Sequence, residues 1–419
     1  MPVHRITRAA IVAALSLAAI DVSATPVDPH TAQLLCHYQK SGDPTGAATG
    51  TIKAGVSLPG DWHSNQVVSW GNLFRTPVPP EVVKRHCTEA LRLVKDVQGY
   101  IGASGLHGSD AFATDHPLWH EGDLRPGKPI ERVVAFGDSL SDTGNMRTAS
   151  RNLLDLAPGV DSLPSRTWFD GRFSNGPTWV EYLARRNNLS LSNWAVGGAQ
   201  TRNAKFGLIH GIGKQIDSFF GHMETVHGYD PSRTLFTFLV AGNDFVNDSK
   251  HATDIVMQQR ESLIQLVRHG ARKVMVVNLP DVTRAPVFRM GRKDAADVLK
   301  RVDIYNSALA GIVSSVEQQA VKEGLVKHRS DLQIRIVDAR TRFDRVLSDP
   351  APFGFVNTTD SCLRIDQDSP LTYIQTHAPR RHCEADRFVF WDTLHPTTRM
   401  HELMAGWVVE TAPRDWGLR

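Results

Sequence analysis

The chain has 419 residues, of which 41% are hydrophobic and 22% are charged, an ordinary globular composition with enough apolar material for one or two domains. Its 47 basic and 44 acidic residues give a formal net charge of +3, and no long run of Lys and Arg occurs, which argues against a nucleic-acid partner. The absence of fixed-period sequence repeats argues against a solenoid or a propeller.

The N-terminus shows the order of features that is typical of a secretory signal peptide. Basic residues precede the apolar stretch Ala9–Ile20, and the sequence VSA that ends at Ala24 offers a small-residue cleavage site. We therefore predict a signal peptide over residues 1–24 and a secreted mature chain, extracellular or periplasmic; a buried N-terminal helix is the alternative. No later segment reaches the ~20 apolar residues that a spanning helix needs, so we expect no transmembrane segment in the mature chain.

Export would place the four cysteines in an oxidising compartment, where cysteines form disulfides. Cys36 and Cys87 lie in the N-terminal part, and Cys362 and Cys383 lie near the C-terminus, without the Cys-x-x-Cys spacing or paired histidines of a zinc site. Four cysteines allow three pairings, of which local pairing within each region is the simplest. We predict no metal site and no cofactor, and we expect a Cys362–Cys383 bridge to contribute roughly 3 kcal/mol.

The segment 25–129 is rich in Gly, His, Ser and Pro, contains scattered tryptophans, and offers one helix, Pro80–Val97. We predict a small N-terminal domain here, whose fold the sequence alone does not define. Two prolines and a glycine within Arg125–Pro129 resist helix and sheet alike, which indicates a linker.

From Ile130 onward, short apolar runs alternate with longer amphipathic stretches, which is typical of βαβ units with a mainly parallel sheet. We predict an α/β fold over residues 130–419, a three-layer α/β/α sandwich with a five-stranded sheet. Ligands bind beyond the carboxyl ends of the strands in such sheets, so functional residues are expected there. The predicted strands are Arg132–Gly137, Asn193–Val196, Leu235–Ala241, Lys273–Leu279 and Gln333–Val337, and the clearest helices are Asp254–His269 and Ala296–Glu323.

A segment that could carry a catalytic residue follows the first of these strands. Residues 137–145 read GDSLSDTGN, which places Ser139 in a sharp turn after a buried strand. A serine hydroxyl becomes a useful nucleophile only when it is held exposed and a base removes its proton. A lone Gly-Asp-Ser is more often a helix cap, but the longer run predicts that Ser139 is a nucleophile.

A matching base occurs near the C-terminus, where residues 391–396 read WDTLHP. The spacing of Asp392 and His395 lets the carboxylate accept the Nδ1–H of the imidazole, which leaves Nε2 to accept a serine proton. An isolated Asp-x-x-His is more often a structural turn with a surface histidine. Beside Ser139, the pair predicts a base and the acid that orients it.

Acyl transfer also needs donors directed at the oxyanion, and two further strand ends offer them. The sequence WAVGGA at 194–199 offers the amide of Gly197 or Gly198, and AGND at 241–244 offers the side-chain amide of Asn243. Each is an ordinary strand-to-helix turn when it is taken alone. All four segments in one chain favour an ester hydrolase.

These four segments resemble the conserved blocks of the GDSL/SGNH hydrolases, which carry a serine, a glycine, an asparagine and an Asp-x-x-His in this order. The resemblance implies the three-layer fold, with Ser139 as nucleophile and with Asp392 and His395 as the other triad members. It also implies an oxyanion hole formed by the Ser139 amide, Gly198 and Asn243, with Gly198 preferred to its neighbour from the alignment of the block.

A narrower resemblance covers nearly the whole exported chain. FSNGPTW at 173–179, NWAVGGA at 193–199, and GFVN at 354–357 ahead of the cysteine-closed loop are similar to the thermolabile (lecithin-dependent) haemolysins. Those are secreted bacterial phospholipases and lysophospholipases related to the glycerophospholipid–cholesterol acyltransferases. The resemblance implies a glycerophospholipid or lysophospholipid substrate, met at a membrane or micelle surface, and leaves acyl transfer to an alcohol open.

Several alternatives stay open at this point. The same blocks serve secreted esterases of short-chain or acetylated-polysaccharide esters, and a binding protein without catalysis is a distant third. The Gly-x-Ser-x-Gly elbow of α/β-hydrolases is absent from the sequence. Trp168, Phe169, Phe173 and Trp179 fit an acyl pocket or, more simply, the core. The Cys362–Cys383 loop fits a gate over the site or a plain surface staple.

Overall fold

A computed structural model of the chain describes residues 30–64, 72–107, 114–121, 128–154, 163–203, 209–226, 229–247, 250–292, 294–369 and 371–419. The predicted signal peptide, residues 1–24, and residues 125–127 of the predicted linker lie outside these ranges. The division of the chain into domains at residue 129 therefore stays a prediction.

The described residues up to His120 form a six-stranded mixed sheet and one helix, α1 (Pro80–Leu91). The strands are β1 (Thr31–Lys40), β2 (Thr49–Pro59), β3 (Asp61–Ser64), β4 (Asn72–Thr76), β5 (Val97–His107) and β6 (Thr114–His120). Their order across the sheet is β2-β1-β5-β6-β4-β3. Neighbouring strands are antiparallel except β4 and β6, which run parallel. We call these strands the N-terminal sheet.

A disulfide between Cys36 and Cys87 joins β1 to α1, with Cα atoms 5.4 Å apart. Both cysteines are fully buried in a small apolar cluster with Leu34, Phe74 and Val83. This is the local pairing that the sequence favours. Because so small a core buries little apolar surface, a bridge that contributes about 2–5 kcal/mol is a large share of the local stability.

Helix α1 is shorter than predicted, since it ends at Leu91 rather than at Val97. Asp96 adopts a left-handed φ of 61°, and Val97 is the first residue of β5. Leu93, between helix and strand, is 86% exposed. The apolar residues that extended the prediction therefore do not form one buried face.

A second sheet consists of five parallel strands, β7 (Arg132–Gly137), β8 (Ser190–Asn193), β9 (Thr234–Leu239), β10 (Lys273–Val277) and β11 (Gln333–Val337). Their order is β11-β10-β9-β7-β8, and each neighbouring pair is parallel. We call it the parallel sheet. The helices of this region are α2 (Asn145–Leu154), α3 (Trp179–Asn187), α4 (Ile212–Met223), α5 (Gly242–Val246), α6 (Ala252–Arg268), α7 (Pro286–Arg289), α8 (Ala295–Lys322), α9 (Ala339–Ser348) and α10 (Thr398–Thr411).

The parallel sheet is the middle layer of this region. Every residue of β7 and β9 is buried, as a parallel strand covered on both faces requires. Helices α4, α6 and α8 pack in series, and α3 packs against α10. Phe136 packs against Phe236 and Phe238 of the neighbouring strand, with ring centroids 6.3 and 5.4 Å away. The predicted α/β sandwich with a five-stranded parallel sheet is confirmed.

Strand β8 covers Ser190–Asn193 rather than the predicted Asn193–Val196. The residues after it still run beside β7, because the N–H groups of Trp194 and Val196 donate to carbonyl oxygens of that strand. The side-chain amide of Asn145 binds two carbonyl oxygens of the same stretch, at 2.9 and 2.8 Å. Hydrogen bonds from a side chain thus replace part of the regular strand pairing just before Gly197 and Gly198.

Two short parallel strands, β12 (Asn357–Ser361) and β13 (Phe388–Phe390), frame a loop near the C-terminus. The disulfide between Cys362 and Cys383 closes this loop, with Cα atoms 5.3 Å apart. We call residues 362–383 the disulfide loop. Strand β13 leads directly into the segment that carries Asp392 and His395.

Candidate active site

Ser139 lies in the turn that follows β7, at the carboxyl end of the parallel sheet. The N–H groups of Ser141 and Asp142 both donate to the carbonyl oxygen of Asp138, at 3.0 Å. Gly137 has no room for a side chain, since a Cβ there would lie 2.5 Å from a carbonyl oxygen of β9. These contacts hold Ser139, which is 8% exposed, at the tip of the turn.

Asp142 links the turn around Ser139 to the turn at Gly197 and Gly198, which follows β8. Its carboxylate accepts the N–H groups of Gly144, Asn145 and Met146 at 2.7–3.1 Å and so caps the start of α2. It also accepts the N–H of Gly197 at 2.7 Å. Burial raises the pKa of Asp142 to about 6, although these four donors favour its charged form. The sequence signal therefore extends beyond the serine because a structural carboxylate is part of it.

Ser139, His395 and Asp392 lie within hydrogen-bonding distance of one another in series. His395 Nε2 is 2.8 Å from Ser139 Oγ, and His395 Nδ1 is 2.9 Å from Asp392 Oδ2. The serine and the histidine are 256 positions apart in the chain. The N–H of Trp391 donates to the His395 carbonyl oxygen at 2.9 Å, which closes the C-terminal turn on itself. The structure thus brings together the three residues that the sequence singles out.

Asp392 is fully buried, and N–H donors reach both of its carboxylate oxygens. Oδ1 accepts the backbone N–H groups of Leu394 and His395, at 2.7 and 2.8 Å, and Oδ2 accepts the indole N–H of Trp168 at 2.8 Å. Burial alone raises the pKa of Asp392, but His395 and the two backbone donors outweigh it and lower the pKa below its usual value. The charged carboxylate favours the tautomer of His395 that carries its proton on Nδ1.

Trp168 and Phe173 belong to the site in a way that the sequence does not reveal. Trp168 is 1% exposed and holds Asp392 through its indole N–H, across 224 positions of the chain. The ring of Phe173 packs on the imidazole of His395, with centroids 5.0 Å apart. Neither residue lines the apolar pocket beside Ser139 described below. No local motif signals such contacts, because only the folded chain brings the partners together.

Tyr373, from the disulfide loop, is a second aromatic residue that packs on the histidine, besides Phe173. Its Oη lies 3.3 Å from His395 Nδ1, and the ring centroids are 5.3 Å apart. Burial, followed by the charge of Asp392, raises the pKa of Tyr373 well above its usual value, so the phenol stays neutral. The disulfide loop therefore packs directly on the candidate base.

The structure distinguishes the two glycines that the sequence leaves as alternatives. Gly197 already donates its N–H to Asp142, and a Cβ at Gly197 would lie 2.5 Å from the ring of Phe173. Gly198 adopts a φ of 81°, a conformation that glycine reaches without strain. No acceptor within the described residues takes the Gly198 N–H. Gly198 is the member of the pair that can offer an N–H to a ligand.

Asn243 lies in the short helix α5, and two bonds orient its amide. Oδ1 accepts an N–H of Asn247 at 2.7 Å, and Nδ2 donates to the carbonyl oxygen of Ala199 at 3.0 Å. Nδ2 carries a second N–H that this bond does not use. Asn243 borders the same pocket as Ser139 and His395, so this N–H can serve a group bound there.

An apolar pocket opens beside these polar residues. Helices α5, α9 and α10 and the loops at this edge of the sheet supply its walls, and Ser139, Asn243 and His395 border it. Such a pocket suits an extended hydrocarbon group with one polar, reactive end. Its large apolar side chains include Val246, Phe343, Met400, Met404 and Trp407.

Asp138, the residue before the candidate nucleophile Ser139, also borders this pocket and is 3% exposed. Its Oδ1 accepts the N–H of Leu140 at 3.1 Å. Burial raises the pKa of Asp138 to about 7, against the opposing effects of that N–H and of His395. Asp138 and Asp392 therefore differ, since the surroundings of Asp392 lower its pKa and those of Asp138 raise it.

Two further properties concern the described part of the chain. No group of three or more His, Cys, Asp or Glu side chains there could hold a metal ion. No helix there combines the length and the apolar character that crossing a bilayer requires.

The fold and the comparisons with known proteins define the class of this chain as a carboxylic ester hydrolase. The profile described as GDSL-like Lipase/Acylhydrolase matches residues 133–408, and the chain belongs to this family, as the sequence resemblance implies.

Several known proteins are similar to this chain over most of its length. The thermolabile hemolysin of Vibrio parahaemolyticus is 33% identical over 359 residues, 85% of this chain and 80% of that protein. The phosphatidylcholine-sterol acyltransferase of Aeromonas hydrophila is 25% identical over 333 residues, 68% of this chain and 90% of that protein. A GDSL-like lipase of Bacteroides thetaiotaomicron with a known structure is 10% identical and has a TM-score of 0.30, over 67% of this chain and 86% of that one.

Proposed function

We propose that this chain hydrolyses acyl esters of glycerophospholipids and lysophospholipids through a triad of Ser139, His395 and Asp392. One observation carries the proposal, the hydrogen-bond path that runs from Asp392 through both ring nitrogens of His395 to the Ser139 hydroxyl, with distances of 2.9 and 2.8 Å. A nucleophile, a base and an acid that orients the base are what serine-dependent acyl transfer needs.

In the acylation step, Ser139 Oγ attacks the ester carbonyl carbon while His395 Nε2 takes the hydroxyl proton. The charged Asp392 stabilises the imidazolium that forms. The tetrahedral intermediate then loses its alkoxy oxygen, which receives the proton from His395 and leaves as an alcohol. Water attacks the acyl-enzyme, gives its proton to His395 and releases the carboxylic acid, and the proton returns to Ser139.

The developing oxyanion receives hydrogen bonds from the Ser139 amide, the Gly198 amide and the Asn243 side chain. The contacts of Gly197 and of Asn247 support this assignment, since they leave the Gly198 N–H and one Asn243 N–H available. A single such donor typically changes kcat by about 10²–10³-fold.

The choice of phospholipid as substrate is supported by the pocket and by the relatives. A pocket lined mainly by apolar side chains and bordered by three helices suits a fatty acyl chain. One relative is named for acyl transfer from phosphatidylcholine to a sterol. The enzyme would meet such lipids at the surface of a membrane or a micelle.

Export through a signal peptide at residues 1–24 is part of the proposal. It is supported by the two disulfides, which persist in oxidising compartments. Expression of the full chain should release a protein whose first residue is Thr25, as N-terminal sequencing would reveal. Retention of the uncleaved chain inside the cell would contradict this part.

The chemistry is tested with Ser139→Ala. We expect kcat on a soluble ester to fall by at least about 10³-fold while the melting temperature changes little, because the substitution removes only the nucleophilic oxygen. A fluorophosphonate should label the natural protein once, at Ser139, and leave the variant unlabelled. A folded variant with undiminished esterase activity would overturn the triad.

The substrate class is tested with Met404→Trp, which places a larger side chain in the pocket. Activity on long-chain phosphatidylcholine and lysophosphatidylcholine should fall far more than activity on a soluble acetyl ester. Glu410→Trp, on the exposed side of the same helix, is the matched control and should change neither. An unaltered protein that cleaves short-chain or acetylated-polysaccharide esters but no phospholipid would replace the substrate and leave the chemistry.

A further inference from the structure

Residues 168–173, here called the bridging segment, touch the candidate triad at both ends and the N-terminal sheet in the middle. Trp168 donates to Asp392 Oδ2 at 2.8 Å, and Phe173 packs on the His395 ring. Between them, Asp170 is 5% exposed, and its Oδ1 accepts a hydrogen bond from Nδ1 of His37 at 2.9 Å. One side chain of β1 is thus linked to the acid of the triad through a short stretch of chain.

The backbone of the bridging segment depends on its contacts. Asp170 adopts a left-handed conformation, with φ of 43° and ψ of 45°, which costs a non-glycine residue on the order of 1 kcal/mol. Its carboxylate is held by Arg147 on Oδ1 and by Arg172 on Oδ2, each at 2.7 Å, besides His37. Although burial opposes it, these cationic partners lower the pKa of Asp170 below its usual value, so it remains charged.

The N-terminal sheet is connected to Asp170 by two sets of hydrogen bonds, here called two routes. In the first, His37 is 3% exposed and is itself held by Ser104, whose Oγ lies 2.7 Å from His37 Nε2. In the second, Arg147 donates to Asp115 of β6 at 3.1 Å as well as to Asp170. Loss of the sheet would remove one partner of Asp170 and leave Arg147 with one carboxylate fewer.

We propose that the N-terminal sheet is a positioning element of the active site, with His37 acting on Asp392 and His395 through Asp170 and Trp168. This inference rests on the proposed triad. His37 contacts neither the substrate nor a reacting atom; it fixes the bridging segment, and the segment fixes the carboxylate plane and the imidazole ring. Catalysis is sensitive to such placement, since a shift of about 1 Å can cost about 10²-fold in rate.

Two substitutions of His37 separate its two hydrogen bonds. The amide of His37→Asn lies near the position of Nδ1 and retains a donor for Asp170. The longer His37→Gln reaches the position of Nε2, so it retains the Ser104 contact and loses the bond to Asp170. His30→Gln is the matched control, because His30 makes the same kind of pair with Asp61, at 2.9 Å, on an exposed part of the N-terminal region.

The readout is kcat per active site, counted by fluorophosphonate labelling, together with KM for a soluble ester and the melting temperature. For His37→Gln we expect kcat per labelled site to fall about tenfold with KM unchanged. His37→Asn should stay within about threefold of the natural protein, and His30→Gln should match it. If His37→Gln lowers the melting temperature or the labelled fraction but leaves kcat per labelled site unchanged, the sheet is only structural and the inference is wrong.

Should His37→Gln not fold, Asp115→Asn weakens the second route through Arg147 and also touches the first, since Asp115 Oδ2 lies 3.5 Å from Ser104 Oγ. This variant should lower kcat per labelled site by a few-fold. A folded Asp115→Asn protein with the natural kcat would then overturn the inference. These outcomes are separate from the fate of the triad. Activity that survives Ser139→Ala would refute the triad itself, whereas an inactive Ser139→Ala beside a fully active His37→Gln would refute only the positioning role.

Discussion

The contact between the N-terminal sheet and the bridging segment buries carboxylates in a different way from the carboxyl edge of the parallel sheet. At the contact, Asp170 has three cationic or imidazole partners and a lowered pKa. At the edge, Asp138 has one backbone donor, from Leu140, and a pKa raised to about 7. Full compensation suits a rigid joint. Incomplete compensation, as at Asp138, is typical of functional sites, whereas Asp392 at the same edge is held charged by His395 and by N–H donors to both of its oxygens.

The apolar cores of the two regions also differ, in size. The parallel sheet lies in a large continuous core, to which the N-terminal sheet contributes Leu73 and Trp119. The other buried apolar residues of the N-terminal sheet include a small cluster around the Cys36–Cys87 bridge. The first region is therefore expected to respond most to changes at its reactive edge. The second is expected to respond most to loss of its covalent link.

The largest effect is expected at the reactive edge, from Asp392→Asn. The asparagine amide donates where the carboxylate accepts, so it favours the wrong tautomer of His395, and kcat should fall by about 10⁴-fold. The melting temperature should fall as well, because the NH2 group that replaces Oδ2 cannot accept the indole N–H of Trp168, whereas the remaining oxygen still accepts the N–H of Leu394. A loss of activity below tenfold would show that Asp392 does not orient the base.

The next effect concerns the stability of the N-terminal sheet. Replacing Cys36 and Cys87 by alanine should lower the free energy of unfolding by about 2–5 kcal/mol in urea titrations. The same change at Cys362 and Cys383 should cost less, since that bridge joins residues 21 positions apart rather than 51. Equal losses from both pairs would contradict the contrast between the two regions.

A pH-dependent effect is expected from Asp138→Asn. The folded pKa of about 7 lies above the ordinary 3.8, so the folded state holds the proton more tightly than the unfolded chain does. This contribution to stability is present below about pH 4 and is lost as the pH rises to 7. The variant lacks it, so its stability relative to the natural protein should rise by on the order of 1–3 kcal/mol between pH 4 and 8. A pH-independent difference in urea titrations would argue that Asp138 has an ordinary pKa.

The smallest effect is expected from Tyr373→Phe. The change removes the hydroxyl that lies 3.3 Å from His395 Nδ1 and keeps the ring that packs on the imidazole. A bond of this length next to a stronger carboxylate partner is worth little, so kcat should fall by about two- to fivefold. Tyr373→Ala is the companion variant and should cost more, because packing is lost as well. An increase in activity would instead indicate that the disulfide loop restrains the base.

The parallel sheet could be predicted from the sequence because its signals are local. Strands β7 and β11 have the predicted bounds, since β7 is a short apolar run and β11 is a short stretch rich in Ile and Val. The N-terminal sheet could not, because its strands alternate small and polar residues and pair across long sequence separations. Helix α1 ended early for a related reason, as apolar residues continued past the point where the chain turned into β5.

The candidate site divides in the same manner. Ser139, Asp392 and His395 lie in compact motifs, so the sequence indicates them and their proximity follows from the strand ends. Trp168, Tyr373 and the bridge to His37 carry no motif, because single aromatic and histidine side chains acquire their roles only through contacts between distant segments.

The position of the serine early in the chain and of the histidine near its end has a consequence for biosynthesis. On the proposed mechanism, a nascent chain carries a nucleophile without its base until residue 395 has left the ribosome, because the two residues are 256 positions apart. A fragment released before residue 395 is inert toward the lipids of the cell that makes it. On that mechanism, the order of synthesis alone delays ester cleavage until the base has been made.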